Sequence, residues 1–416
     1  MSNSAQRQPT EGMLLFVLSA VQFVHIVDLM MVIPLGPDFA RDLGIKLEQL
    51  GWVGGAYTMA ASLAGLLAAV YLDRFDRKQL LVVCLSGLTL LTALGAAAWD
   101  FYSLVTIRFI TGLFGGPCTA ICFAIIADKV PSSRRGSAMG KVMAAFSLAS
   151  IFGVPFGLEL AHYFNWRAPF LATAGLTLLV LITVIVIMAP LTGHLSANAR
   201  IRSFDTIKTL LFNKVHWQVF AVGSFSMFAA FLLIPHLASF VQFNLGLPRN
   251  ELGLLYMAGG VGSFVVLRVV GKILNHVSAF IVSLVGMIVL VATCYAGMVH
   301  SPSYLSPLAI YVLFMASMSA RGVCNNTLAS KIPEPQQRAG FLALVNCIAQ
   351  LFAALGAFLS TTMLHEASDK SLQGFSHVAM LAIAASLCVP LLILWVERHV
   401  TLRERAAQLI PPPESA

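Results

Sequence analysis

The sequence is short of charged residues. Asp, Glu, Lys and Arg make up 11% of its 416 residues, and 58% of the residues are hydrophobic. In ordinary soluble domains roughly 25% of the residues are charged. This shortage excludes a water-soluble globular protein, because a soluble fold cannot hide so much apolar surface from water. A mean hydropathy of +0.85 predicts instead a chain solvated by lipid.

The motifs of several functional classes are also missing. None of the seven cysteines forms a CxxC pair, which excludes the usual redox and zinc spacings. No GxxxxGK[ST] loop is present, so ATP-driven activity is not expected. The net charge of +8 comes from basic residues in short gaps and not from a basic face, so we expect no nucleic-acid partner. We therefore predict no enzyme activity, no cofactor and no metal.

The chain does contain twelve apolar runs, each near the length of about 20 residues that a helix needs to cross a bilayer. They lie near 13–35, 50–71, 79–98, 102–126, 137–160, 167–190, 217–243, 251–273, 278–299, 305–328, 339–363 and 375–397. Helices satisfy their own backbone hydrogen bonds in lipid. The predicted fold is therefore an all-α membrane protein with twelve transmembrane helices.

Short sequence pairs recur at a constant spacing. Leu43-Gly44 recurs 202 residues later as Leu245-Gly246, and Lys129-Val130-Pro131 recurs as Lys331-Ile332-Pro333. Duplication is typical of secondary transporters, in which the substrate path lies between the two halves. We predict two pseudo-symmetric six-helix bundles, at 1–190 and 217–397, with a cytoplasmic linker at 191–216 and a cytoplasmic tail at 398–416.

The basic residues predict the orientation of the chain. Of the 26 Lys and Arg residues, 18 fall in the gaps on the side of the two termini and 5 in the gaps on the other side. Cytoplasmic loops carry an excess of Lys and Arg. We therefore predict a multi-pass protein of a bacterial-type inner membrane, with both termini in the cytoplasm.

Ionisable residues inside apolar runs mark candidate sites, because they are costly in lipid. Asp28 lies within the first run, with His25 and Gln22 one and two turns before it, and Arg108 lies in the fourth run. Burial disfavours the charged form of a carboxyl group, so Asp28, His25 and Arg108 are candidates for proton coupling. Alternatively, Asp28 is a paired acid that locks helix packing, and Arg108 is a structural charge at a helix end.

A second set of polar residues is a candidate substrate site. Arg321 and Asn325 are four residues apart in the tenth run and share one helix face, and His236 lies in the seventh run. With Gln22, these residues are predicted to line the substrate cavity. For His236 the alternative is a hydrogen-bonded packing residue.

Other residues are candidates for conformational gating. Asp73, Arg74 and Arg77 follow the second run, where mixed charges suit ion pairs that form in one conformation and break in another. Gly153, Pro155 and Gly157 lie in the fifth run, where a missing backbone donor and added flexibility suit a sliding helix crossing or a packing kink. Gly112, four residues after Arg108, allows a neighbouring backbone to approach closely.

These segments carry a resemblance to the major facilitator superfamily along nearly the full chain. The stretch Ala69–Lys78 is similar to the family pattern G-x-L-A-D-R-x-G-R-K, with both glycines replaced. Arg108 and Gly112 match the motif of the family's fourth helix, and the resemblance implies a role for that arginine in proton transfer. The run Gly153–Gly157 and the following Asn165–Phe170 are similar to the drug:proton antiporter branch, and within it to arabinose and purine efflux permeases.

The predicted function is therefore the export of a small molecule by alternating access, coupled to proton antiport. An uncoupled facilitator or an uptake symporter of the same fold is the alternative, and a membrane receptor or scaffold is a more distant one. The expected partners are a small-molecule substrate, protons and the lipid bilayer, and the expected state is a monomer. The apolar runs contain few acidic residues and several arginines, which favours neutral or anionic substrates over cationic ones.

Overall fold

The computed structural model describes residues 10–71, 74–131, 134–192, 210–211, 213–300, 304–333 and 338–408. Within them, twelve helical spans are long and apolar enough to cross a membrane, which confirms the predicted number. We number them 1 to 12: Glu11–Leu43, Leu47–Ala68, Arg77–Gly95, Phe101–Lys129, Ser137–Tyr163, Arg167–Ile187, Val215–Asn244, Arg249–Ile273, Ala279–Val299, Pro307–Lys331, Gly340–Met363 and Phe375–Leu402.

The spans are built from the following helices. The α-helices are Glu11–Met31, Gly36–Leu43, Leu50–Tyr71, Arg77–Gly95, Phe101–Lys129, Arg135–Met143, Ala145–Leu148, Val154–Tyr163, Arg167–Ile187, Lys214–Ser239, Leu252–Ile273, Ala279–Cys294, Pro307–Lys331, Arg338–Met363 and Phe375–Gln408. Short 3-10 turns cover Ile33–Leu35, Leu47–Gln49 and Arg249–Glu251, and π-helical turns cover Ala149–Gly153, Phe240–Asn244 and Tyr295–Val299.

Span 1 is longer than the sequence predicts. The apolar run of the sequence ends near residue 35, before Gly36-Pro37-Asp38. The chain instead bends through a 3-10 turn and continues as the helix Gly36–Leu43, which ends at Gly44 with a φ of 64°. Pro37 is tolerated because a first-turn residue needs no backbone donor. The last helix likewise extends to Gln408, so the predicted tail boundary at 398 falls inside it.

The spans are arranged in two six-helix bundles, and their cores reveal how the halves meet. Because the number of spans is even, Glu11 and Leu402 lie at one membrane face, which we call the terminal face; the opposite one is the distal face. One core joins both halves at the distal face and includes Phe39, Phe240 and Phe375. Toward the terminal face, one core draws its buried residues only from the first half and another only from the second. The halves are therefore sealed together distally.

A short hairpin closes the distal end of the second half. Strands His365–Glu366 and Leu372–Gln373 pair antiparallel between spans 11 and 12, with Glu366 opposite Leu372. Gly374, with a φ of 85°, follows the hairpin, and a Cβ there would lie 2.5 Å from the Met363 carbonyl oxygen. The hairpin thus brings the Glu366 side chain toward the first half.

A carboxylate joins the third and sixth spans of each half, although the two carboxylates belong to different elements. In the first half, the Asp76 carboxylate caps span 3 by accepting from the Lys78 backbone and also accepts from the Leu191 backbone beyond span 6. In the second half, Glu397 of span 12 accepts from the Ala279 and Phe280 backbone at the start of span 9. Both joints place a carboxylate at a helix N-terminus, where it interacts favourably with the helix dipole.

Candidate functional site

A buried ion pair lies inside the first bundle. The Asp28 carboxylate of span 1 accepts a hydrogen bond from Thr92 Oγ1 of span 3 at 2.7 Å. Its second oxygen lies 3.2 Å from Arg108 Nη1 of span 4, and Arg108 Nη2 donates to the Asp28 carbonyl oxygen at 3.2 Å. Both side chains are at most 2% exposed. Because both charges are removed from water, each depends on the other for compensation.

Tyr57 connects this pair to His25. The Arg108 guanidinium lies over the Tyr57 ring, 4.3 Å from its centroid, and the Tyr57 hydroxyl is 3.2 Å from His25 Nδ1. The three residues predicted for proton coupling are thus brought into one cluster, which we call the Asp28 cluster, with Tyr57 and Thr92 as additional members. Sequence reasoning missed these two because uncharged Tyr and Thr give no signal in an apolar helix.

Glycines of span 4 allow span 2 to approach the cluster. A Cβ at Gly112 would collide with the Tyr57 carbonyl oxygen, and one at Gly115 would collide with the Tyr57 hydroxyl. Any larger residue would therefore displace the ring from Arg108. Gly112 accordingly has a packing role here, and its predicted gating role stays a prediction.

Span 5 packs against span 1 on either side of Asp28. A Cβ at Gly153 would lie 2.5 Å from Val27, and one at Gly157 would lie 3.2 Å from Met31. Pro155 cannot donate a backbone hydrogen bond, and the π-helical turn Ala149–Gly153 lies directly before it. A movement of span 5 would therefore displace Val27 and Met31, the residues that flank Asp28.

Gln22, two turns before Asp28, donates to Thr119 of span 4 at 2.8 Å.

The second bundle holds a buried arginine in a different setting. Arg321 of span 10 donates to Ser386 Oγ of span 12 at 3.2 Å and to Ser226 Oγ of span 7 at 3.4 Å. Its Nε has no hydrogen-bond partner. No carboxylate lies within 4 Å of it in the part of the chain that the structure describes. Asn325 lies one turn away, with its amide nitrogen near Gly223 of span 7.

His236 lies apart from Arg321. Its Nδ1 is 3.1 Å from the Leu47 carbonyl oxygen of the first half, and its Nε2 is 3.0 Å from Ser360 Oγ. Its Nδ1 therefore takes part in the contact between the halves at the distal face, whereas its Nε2 bonds a residue of its own half. In this conformation the geometry matches the packing alternative, and the predicted contact of His236 with substrate stays a prediction.

Carboxylates exchanged between the halves reinforce the distal contact. Glu366 accepts from the Leu47 backbone at 2.7 Å, and Glu48 accepts from the Glu366 backbone at 2.9 Å. Asp38 forms a two-point ion pair with Arg249, with a shortest distance of 2.6 Å. We call these contacts the distal clasp. They join residues up to 319 positions apart, so no local pattern in the sequence indicates them.

The predicted gating charges lie near the terminal face. Arg77 is buried and pairs with Asp128 at the end of span 4, with 3.3 Å between Nε and Oδ2. Arg74 is exposed, and Asp73 lies outside the described residues. The Arg77–Asp128 pair joins spans of the same half. An ion-pair role in gating between halves stays a prediction.

Comparisons with known proteins agree with this architecture. Residues 18–357 match the model of the Major Facilitator Superfamily. A chloramphenicol resistance protein of Streptomyces lividans is 23% identical over 308 residues, which cover 73% of this chain and 76% of that protein. A multi-drug resistance efflux pump of Streptococcus pneumoniae is 25% identical over 260 residues, 60% of this chain and 64% of that protein. The crystal structure of a D-xylose-proton symporter superposes with a TM-score of 0.72 at 17% identity, covering 91% of this chain and 97% of that one.

Proposed function

Because the chain belongs to the major facilitator superfamily, and so is a membrane transporter and not an enzyme, we propose that it exports a small molecule in exchange for protons. The observation that carries the proposal is the Asp28–Arg108 pair, buried in the first bundle with Thr92, Tyr57 and His25 around it. Costly intramembrane charges of this kind are typical of proton relays.

The cluster supplies a chemical basis for coupling. A proton on Asp28 neutralises the carboxylate and ends its charge pairing with Arg108, whose guanidinium is then held by Tyr57 and the Asp28 carbonyl oxygen. Val27 and Met31 transmit the rearrangement to Gly153 and Gly157 of span 5. Coupling then requires only that proton and substrate favour different conformations of the bundles.

The proposed conformational cycle opens the two faces in turn. In this structure the distal clasp and the shared core seal the distal face, whereas the two halves have separate cores at the terminal face. The excess of basic residues in the gaps of the terminal face supports a cytoplasmic location for it, in a bacterial-type inner membrane. The structure then corresponds to a state closed to the outside, and export requires the distal clasp to release.

Everted membrane vesicles test the proposal. With an acidic interior, wild type is expected to accumulate at least one radiolabelled compound from an efflux panel that includes chloramphenicol and compounds with a carboxylate or phosphate group. Asp28→Asn is expected to lose at least about 90% of this gradient-driven uptake, since no carboxylate remains to carry the proton. Asp369→Asn, an identical change in the exposed distal hairpin, is the matched control and should transport normally.

The other outcomes separate the alternatives. Unchanged gradient-driven uptake in Asp28→Asn would remove Asp28 as the proton site. Wild-type transport that runs equally well without a pH gradient would indicate an uncoupled facilitator. Accumulation only when the gradient is reversed would indicate an uptake symporter, and absence of flux across the whole panel would count against transport of drug-like compounds.

A further inference from the structure

We propose that Arg321 is the recognition point for an oxyanion, a carboxylate or phosphate group, on the transported compound. The proposal rests on the transport function and names the substrate class for it. The cluster around Arg321 is formed by spans 7, 10 and 12, through Ser226, Arg321 and Ser386, and we call it the Arg321 cluster. It lies wholly within the second bundle, away from the proton-coupling residues.

The charge of Arg321 lacks compensation. Arginine keeps its charge in proteins, and a charged side chain near the bilayer centre is costly unless an opposite charge or water accompanies it. Arg321 is 14 residues from the start of span 10 and 10 from its end, which places it near mid-membrane at about 1.5 Å of rise per residue. In the described residues its guanidinium donates only to two neutral hydroxyl groups and the Met318 sulfur, so no negative charge offsets it there.

The donors of Arg321 are also incompletely used. Nη1 and Nη2 each donate to one serine, at 3.2 and 3.4 Å, and the buried Nε has no partner. A guanidinium presents its donors as a planar fork that matches carboxylate and phosphate oxygens in pairs. Two long bonds to neutral oxygens leave this fork available for a stronger, charge-assisted contact.

The cluster has an accessible edge. Arg321 itself is buried, but Ser226, Met318 and Asn325 are partly exposed. The Asn325 amide nitrogen lies beside Gly223, where a Cβ would make ordinary van der Waals contact with it at 3.5 Å. A bound oxyanion can therefore reach Arg321 past Ser226, with the Asn325 amide as an additional donor one turn along the helix. A cationic compound would be repelled by the charge of Arg321, and none of the cluster residues named here carries a negative charge to offset that repulsion.

Ligand-dependent stability in detergent tests the proposal. Six cysteines are buried, so a thiol-reactive dye reports unfolding of the full-length protein. The probes are acids with uncharged counterparts: benzoate with benzamide, hexanoate with hexanamide, and methyl phosphate with trimethyl phosphate. We expect at least one acid to raise the Tm of wild type while its counterpart does not. Arg321→Met should weaken that binding at least about tenfold, because a hydrogen bond to a charged group is lost.

Matched variants keep the result interpretable. Arg268→Met removes another arginine within a span, one that lies over the Phe264 ring, and should leave the acid titration unchanged. If Arg321→Met does not fold, Arg321→Lys takes its place; it keeps the charge but loses the fork and should still bind about tenfold more weakly. These titrations use no proton gradient, so their outcome is independent of the outcome for Asp28→Asn.

Three results would overturn the proposal. The first is that no acid stabilises wild type more than its uncharged counterpart. The second is that the Arg321 variants keep the wild-type preference for the acid. The third is stabilisation by added phosphatidylglycerol but by none of the soluble acids, which would assign the fork to a lipid phosphate and not to a transported compound.

Discussion

Each bundle buries an arginine well inside a membrane span, and these two arginines, Arg108 and Arg321, are compensated differently. Arg108 has a carboxylate at 3.2 Å, an aromatic ring beneath it and a backbone oxygen beside it, all from its own bundle. Arg321 has two serine hydroxyls and, in the described residues, no carboxylate within 4 Å, while the Nε of each arginine has no hydrogen-bond partner. The first bundle therefore satisfies its buried charge internally, whereas the second leaves a charge that a ligand can satisfy.

The difference indicates a division of labour between the repeats. A closed pair such as Asp28–Arg108 can change its state by gaining or losing a proton, and it needs no other ligand. An open cation such as Arg321 changes its state when an anion arrives. Duplicated halves begin from one pattern. If one half couples to protons and the other recognises substrate, the two halves need to compensate their buried arginines in different ways, as these two do.

The largest expected contrast comes from making one substitution at both arginines. Arg108→Met leaves the Asp28 carboxylate buried without its partner and should lower the free energy of unfolding by about 3–5 kcal/mol, the usual effect of breaking a buried pair. Arg321→Met removes an uncompensated charge together with two hydrogen bonds to neutral groups, and should change stability by at most about 1 kcal/mol. Denaturant unfolding in detergent measures both.

A double substitution provides the control for that contrast. Replacing both Asp28 and Arg108 with apolar residues, as Asp28→Leu with Arg108→Met, should recover part of the loss, because no unpaired charge then remains. If Arg321→Met proves as destabilising as Arg108→Met, the second bundle compensates its arginine as fully as the first, and the contrast between the two clusters is lost.

Tyr57 gives a smaller contrast, because an aromatic face covers Arg108 and none covers Arg321 in the described ranges. Tyr57→Phe keeps the ring and loses the hydroxyl beside His25, and should cost about 1 kcal/mol. Tyr57→Leu also loses the cation–π contact and should cost about 2 kcal/mol or more. Equal losses in thermal unfolding for the two variants would show that the ring does not stabilise Arg108.

The sequence predicts the fold of this protein better than it predicts the contacts between its spans. Twelve spans follow from apolar runs alone, because crossing a bilayer requires a minimum helix length. The grouping of Asp28, His25 and Arg108 was also predictable, since charges in lipid must find partners. Both inferences rest on the cost of placing polar groups in lipid. This cost can be judged for each residue from the local sequence alone.

Contacts between spans follow a different rule. Thr92 and Tyr57 look like ordinary helix residues, and only the packing of spans 2 and 3 against span 4 reveals their role. The distal clasp joins Glu48 to Glu366 through loops whose meeting depends on how the two bundles sit together. The partners of His236, Leu47 and Ser360, are likewise distant from it in the sequence. Amino-acid composition cannot predict such contacts between distant residues.

The smallest expected contrast lies in the hydroxyl groups of the two clusters. Thr92→Val removes a donor to the Asp28 carboxylate, a hydrogen bond to a charged group, and should cost about 2 kcal/mol. Ser386→Ala removes one of the two serine acceptors of Arg321, and should cost about 1 kcal/mol or less. Parallel unfolding curves in the same detergent measure the difference.

The size of the difference between these two stability losses bears directly on how the second bundle works. If Ser386→Ala costs as much as Thr92→Val, the serine holds Arg321 as firmly as Thr92 holds Asp28. Arg321 would then be a satisfied structural charge, and an arriving oxyanion would gain little by displacing Ser386 and Ser226. If the loss is small, the serines only occupy the guanidinium fork between ligands, because hydroxyl groups that bind weakly can be exchanged at little cost for a charged oxygen.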